Sequence, residues 1–132
     1  MFSCQASSVF LDTDVILDLF IKREPHHSVA LRFFSYLQVH ADSIQAYTSP
    51  VVIANVGYIL GKAQSEPYAV IKIKGLRDFV RVLPMAEPEV DRAIANTVKI
   101  IVTRNGDDFL TDGVQALEPE EFMKMDFAEK ST

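Results

Sequence analysis

The hydrophobic positions fall into two patterns. Short runs with no polar face, Val9-Phe10-Leu11 and the apolar centre of Val98–Thr103, read as buried strands of a parallel sheet. Longer stretches carry helical spacing. Val15, Ile16, Leu19 and Phe20 predict a first helix from about Asp14 to Lys22, capped by Asp14 and ended by Pro25. Val29, Ala30, Phe33, Phe34 and Leu37 form one stripe of a second helix over His26–Val39. Ser49-Pro50 places a capping hydroxyl and a first-turn proline at the start of a third, which runs to Lys62. Further helices are predicted over about Glu66–Phe79, where Gly75 weakens the pattern, from near Pro88 to Ala95, and over Pro119–Met125. Short strands are predicted at Gln45–Thr48, Val80–Leu83 and Val114–Leu117. Strands and helices alternate, as in an α/β fold built from βαβ units.

The third helix is apolar nearly all round (Val51, Val52, Ile53, Ala54, Val56, Ile59, Leu60), so it is expected to be largely buried. Its one polar interior residue, Asn55, must then satisfy a buried backbone group or face a crevice.

Composition narrows the class. With 132 residues, 48% of them hydrophobic, the chain reads as one globular domain over 1–132, large enough to bury a core. The single Cys4 excludes an internal disulfide and any Cys-based metal site, which suits a reducing cytoplasm. Met1–Ser8 has no Lys or Arg and no long apolar stretch, unlike a secretory signal, and no run approaches the length of a membrane span. A cytoplasmic protein is the expectation.

The net charge of −5 hides an uneven distribution. Lys62, Lys72, Lys74, Arg77, Arg81, Arg92, Lys99 and Arg104 outnumber the acids between them, whereas the chain from Asp107 onward is strongly acidic. A basic middle can track phosphates; it can equally be a set of solvated helix faces.

Candidate chemistry begins where the first strand ends. Ligands of open α/β sheets bind at the carboxyl ends of strands, and Asp12 stands there. A cap at Asp14 accounts for one carboxylate, which leaves Asp12 without a structural task and makes it the functional candidate. The second buried strand also ends in polar residues, Thr103-Arg104-Asn105-Gly106-Asp107-Asp108, so Asp12 and Asp108 are expected to converge. Hard oxygen ligands without Cys or His point to Mg²⁺ or Mn²⁺. His26 and His27, at the start of the second helix, have no evident partners and read as surface residues.

Taken together, Val-Phe-Leu-Asp12-Thr-Asp14-Val-Ile-Leu-Asp-Leu-Phe, Lys22-Arg-Glu-Pro25-His, the Ser49-Pro50 helix, Ile-Ile-Val-Thr103-Arg-Asn105-Gly-Asp-Asp108-Phe109 and the closing Leu117-Glu-Pro-Glu-Glu-Phe122 resemble a PIN domain. The likeness is greatest to the small single-domain proteins that serve as VapC-type toxins. It implies a three-layer α/β/α fold with a central, mostly parallel sheet of about five short strands. It also implies a divalent-metal-dependent endoribonuclease, usually dimeric and often restrained by an antitoxin encoded beside it. Asp12 matches the family's first metal-binding acid, and Asp108, with Asn105 and Thr103 nearby, matches the last acidic cluster. Asp14, Asn55, Thr103 and Arg104 would support the site or bind substrate.

Two positions depart from that pattern. Asn55 stands where many members carry Glu. A further helix that supplies the third carboxylate is lacking, because Ala95 runs straight into Asn96-Thr97-Val98. In a PIN-like order the Val80 and Ile100 strands flank the Val9 strand on opposite sides, a crossing of about 14 Å for which the intervening residues are barely long enough. A segment carrying that carboxylate is therefore expected to be missing between Ala95 and Val98.

Metal-assisted hydrolysis of an RNA phosphodiester is the mechanism so implied, with Asp12 and Asp108 holding Mg²⁺ or Mn²⁺ and Asn105 assisting. Two alternatives stay open. One is a PIN fold acting as a binding module without activity. The other is a haloacid-dehalogenase-type phosphatase, whose Asp-x-Asp-x-Val signature Asp12, Asp14 and Val15 match and whose late motif Gly106-Asp107 with Asp112 imitates.

Overall fold

The computed structural model describes residues 7–83, 100–106 and 115–131, with side chains over 8–83, 100–106 and 115–126. Five strands, β1 (Ser7–Leu11), β2 (Ile44–Thr48), β3 (Val80–Val82), β4 (Ile100–Val102) and β5 (Gln115–Leu117), form one sheet in the order β3-β2-β1-β4-β5. Every pairing in it is parallel. The helices flanking it are α1 (Thr13–Phe20), α2 (His26–Val39), α3 (Pro50–Ala63), α4 (Glu66–Leu76) and α5 (Pro119–Ser131). None of the described helices is long and apolar enough to cross a membrane.

Central position and composition agree in β1. Val9 and Leu11 are fully buried, as a strand with neighbours on both sides requires. Val9 pairs with Ala46 on one side and with Ile100 on the other. The chain steps from β1 to β2 to β3 in one direction, then resumes at β4 on the opposite side of β1. That reversal makes the gap between the carboxyl ends of β1 and β4 the switch point of the sheet, where such folds open a crevice. The expected flanking of the Val9 strand by the Val80 and Ile100 strands is what the sheet order gives. The Pro88–Ala95 helix and the expected gap between Ala95 and Val98 lie outside the described residues.

Helix boundaries follow local chemistry. The Ser49 hydroxyl accepts from Val52 N at 3.1 Å with Pro50 behind it, and Ser65 accepts from Tyr68 N at 3.2 Å to start α4. Gly57 lets α3 and α4 approach closely, since a Cβ there would stand 3.3 Å from Ile73 Cδ1. The α2 stripe is buried as predicted (Ala30, Phe33, Phe34, Leu37), and Phe33 meets Phe122 of α5 edge-on with ring centroids 5.9 Å apart. The α2 and α5 helices are joined further by a hydrogen bond from the Tyr36 hydroxyl to the buried Asp126 carboxylate. Burial, followed by that bond, raises the Tyr36 phenol above its ordinary value.

Three expectations are corrected. Helix α1 ends at Phe20 because Ile21 turns to extended backbone, four residues before Pro25. Helix α3 is not largely buried: Val52, Val56 and Leu60 face the core, but Val51 is 62% exposed and Tyr58 68%. An apolar helix packed on one side only leaves its other side in water. For the same reason Asn55 is exposed and needs no buried partner.

Candidate active site

Asp12 is the first residue past β1, and three contacts fix it. Its N–H donates to Val102 O of β4 at 3.1 Å, which carries the β1–β4 ladder one residue past the strand. Its Oδ1 accepts from Thr13 N at 2.8 Å, and its Oδ2 accepts from Thr103 Oγ1 at 2.8 Å. Behind it, Thr48 Oγ1 donates to Leu11 O at 3.0 Å, so the end of β2 is tied to the end of β1 immediately before the acid. Both threonines are fully buried.

The structure corrects the predicted cap. Asp12, not Asp14, is the N-cap of α1; its backbone is extended and its side chain takes the first free N–H of the helix. Asp14 lies inside the first turn, where its carboxylate faces the end of β4. Arg104 N donates to Asp14 Oδ2 at 3.2 Å and Asn105 Nδ2 donates to the same oxygen at 2.8 Å. Thr103 Oγ1 lies 3.4 Å from it. The Thr103 hydroxyl has one proton, and the shorter distance assigns it to Asp12. Asn105 N in turn donates to Thr103 Oγ1 at 3.0 Å.

Two carboxylates thus share one end of the sheet. The Asp14 carboxyl is pushed above its ordinary range, first by burial and then by the charge of Asp12, against the lowering effect of the Arg104 N–H. A pair of acids held in mutual repulsion favours a bound cation. An open cavity of about 480 Å³ lies alongside, lined by Thr103, Arg104, Asn105 and Glu118 among others.

Sequence reasoning missed Asp18. It lies one turn beyond Asp14 on the same face of α1, is only 5% exposed, and pairs with Arg104. Arg104 Nε donates to Asp18 Oδ2 at 2.6 Å and Nη2 to Oδ1 at 3.2 Å, a forked ion pair. These bonds raise the Arg104 guanidinium above its ordinary value. The spacing of Asp14 and Asp18 was the available signal, but nothing local announces that the partner is 86 residues away.

Of the other candidates, Asp108 lies outside the described residues. Asn55 is exposed on α3, and no hydrogen bond among the described residues joins it to the acids. His26 is exposed; His27 is half-buried, with Nδ1 3.0 Å from Asp18 O, so it has a structural partner that the sequence did not suggest. Among the described residues, no group of three or more His, Cys, Asp or Glu could hold a metal ion. Asp12 and Asp14 nevertheless suit Mg²⁺, which takes one or two carboxylates and keeps several waters. Each hydrogen-bonded carboxylate oxygen of Asp12 retains a lone pair for such an ion.

A doubly wound parallel sheet with an acid pair and a threonine at its switch point defines a class of protein, and comparison with known proteins identifies the family. The PIN domain model matches residues 9–99, and the chain belongs to the PIN domain family. It is 29% identical over 89 residues to ribonuclease VapC1 of Aquifex aeolicus (strain VF5), a match that covers 67% of this chain and 60% of the relative's length. In structure it resembles a chain from the crystal structure of VapBC2 from Rickettsia felis bound to a DNA fragment from their promoter. The TM-score is 0.59 at 13% identity, covering 84% of this chain and 98% of that one, a likeness of fold.

Proposed function

We infer that this chain is a divalent-metal-dependent endoribonuclease of the VapC type, the toxin of a toxin–antitoxin pair. The observation that carries this reading is the Asp12–Asp14 pair at the β1–β4 switch point, with Thr103 bonded to Asp12. Family membership supports it, as does the name of the Aquifex relative. RNA is the proposed substrate. A cognate antitoxin is the proposed partner, in line with the fold likeness to a chain of the Rickettsia felis VapBC2 structure. A homodimer through α3 and α4 is the proposed assembly.

Asp12 and Asp14 would hold Mg²⁺ or Mn²⁺, with Asp108 and Asn105 as the further candidates drawn from the sequence. When bound, such an ion supplies Lewis acidity, lowering the pKa of an attacking water and offsetting charge on the phosphodiester. The protein's part is orientation. Thr103 fixes the Asp12 carboxylate, the Arg104 N–H and the Asn105 amide fix Asp14, and β1 and β4 hold both from rigid strand ends. The Arg104 guanidinium is engaged by Asp18, so the residue meets the acid pair through its backbone N–H and not through its side chain.

Asp12→Asn tests the reading. Asn caps a helix as well as Asp does, so the fold should persist while Mn²⁺-dependent RNA cleavage is lost. Cleavage at the wild-type rate would overturn it. The binding-module reading draws on the absence, among the described residues, of a group of three acids or other ligands that could hold a metal ion, and it predicts no cleavage by the wild type either. Membership of the PIN domain family sets aside the dehalogenase-type alternative, which would instead form an aspartyl-phosphate on Asp12.

A further inference from the structure

Arg104 faces two acids on one side of α1. Its backbone N–H donates to Asp14, which places its Cα beside that carboxylate. Its side chain passes Asp14 by and engages Asp18 one turn along, with Nε at 2.6 Å and Nη2 at 3.2 Å. The guanidinium remains within electrostatic reach of Asp14 and of Glu118. A guanidinium keeps its charge, and a mostly desolvated one favours a carboxylate partner over leaving its donors unpaired. The Asp18 side chain is only 7% exposed, which gives a preformed, mostly desolvated seat, whereas the Arg104 side chain is 28% exposed.

We propose that Asp18 is a positioning residue for the acid pair: by seating the Arg104 guanidinium it keeps that cation off Asp14 and leaves Asp12 and Asp14 open to a divalent ion. This rests on the metal-binding reading above. Without the Asp18 charge, Arg104 turns to Asp14, the carboxylate its own backbone already touches, and fills the electrostatic role of the metal with a fixed organic cation. Asp18 is thus required for metal binding without touching the metal. A plain staple between α1 and the end of β4 would behave differently, because loss of either partner would then loosen the site in the same way.

The test is the Mn²⁺-induced rise in melting temperature, titrated to an apparent affinity, for wild type, Asp18→Asn, Arg104→Gln and the double variant. An opposite charge brought within about 4–6 Å of a carboxylate changes its affinity for a cation by about tenfold or more, and that loss is expected for Asp18→Asn. The double variant should return to the wild-type affinity, since the released cation is gone. Arg104→Gln alone should bind Mn²⁺ at least as tightly as wild type, and if Asp18→Asn does not fold, weaker binding by Arg104→Gln still overturns the proposal. The proposal is overturned if Asp18→Asn binds as wild type does, if the double variant binds no better than Asp18→Asn, or if Arg104→Gln binds more weakly. A wild type that shows no Mn²⁺ response overturns the metal-binding reading, and this inference falls with it.

Discussion

Thr103 Oγ1 and Asp12 Oδ2 stand 2.8 Å apart across 91 residues of sequence, and through them the carboxyl ends of β4 and β1 become one surface. The hydroxyl does two things there. It donates to Asp12, and it accepts from the N–H of Asn105, so the loop after β4 is shaped by the same atom that orients the acid.

Thr103→Val preserves shape and removes both bonds from a fully buried position. Loss of a buried hydroxyl with its partners left behind should cost about 1–3 kcal/mol of stability. Mn²⁺ binding and RNA cleavage should fall further than that loss explains, because Asp12 and Asn105 lose their orientation together. Denaturant unfolding combined with a cleavage assay below the transition checks both parts; wild-type cleavage by a destabilised Thr103→Val would refute the orienting role.

Asp14 makes apo stability depend on pH with a definite sign. Burial, then Asp12, raises its folded-state pKa above the ordinary 3.8. The folded protein therefore holds this proton more tightly than the unfolded chain does. The associated stability is complete below the unfolded value and is lost as pH rises through the folded one. Asp14→Asn does not titrate and escapes that loss. In the presence of a chelator its stability relative to wild type should improve from about pH 4 to about pH 7. An unfolding free energy of Asp14→Asn minus that of wild type that stays constant or falls over this range, measured by denaturant unfolding, would contradict the assignment.

Much of this fold was legible because it is written locally. Val9-Phe10-Leu11 has no polar face and became the central strand; Ser49-Pro50 marks a helix start and became one; the His26–Val39 stripe gave α2 its observed bounds. The site was legible only in part. Asp12 and Asp14 are both competent caps, and the choice between them rests on a backbone turn that side-chain identity does not encode. Asp18 looks like any polar residue of an amphipathic helix until β4 delivers Arg104 beside it. Helix α3 misled for the opposite reason: its apolar residues do not state which side of the helix has a neighbour.

The Tyr36–Asp126 bond ties the terminal helix to α2. Asp126 is 3% exposed and accepts from the Tyr36 hydroxyl, joining α5 to α2. Hydrogen bonds to charged groups contribute about 1.5–3 kcal/mol, so Tyr36→Phe should lower the unfolding free energy by about that amount. The nearby edge contact of Phe33 with Phe122 should keep the helices together. Unchanged stability in Tyr36→Phe would show that this bond contributes nothing net.

The outward sides of α3 and α4 carry the proposed dimer. Val51, Tyr58 and Ile59 on α3 and Val70 and Ile71 on α4 are between 37% and 68% exposed, and these are the large apolar side chains the proposed dimer would cover. Lys62 and Lys72 lie over the rings of Tyr58 and Tyr68, with each ammonium 5.5 Å and 5.3 Å from its centroid, so cations sit beside the apolar residues. A two-fold dimer uses the same patch twice, and each charge introduced at its centre therefore appears on both sides of the interface. Ile71→Glu buries two carboxylates in one stroke, whereas on a free surface it would be close to neutral. Light scattering at micromolar concentration should give a dimer for wild type and a monomer for Ile71→Glu, with both melting at similar temperatures once extrapolated to low concentration. A monomeric wild type would remove the dimer from the proposal and leave the acid pair at β1 and β4 untouched.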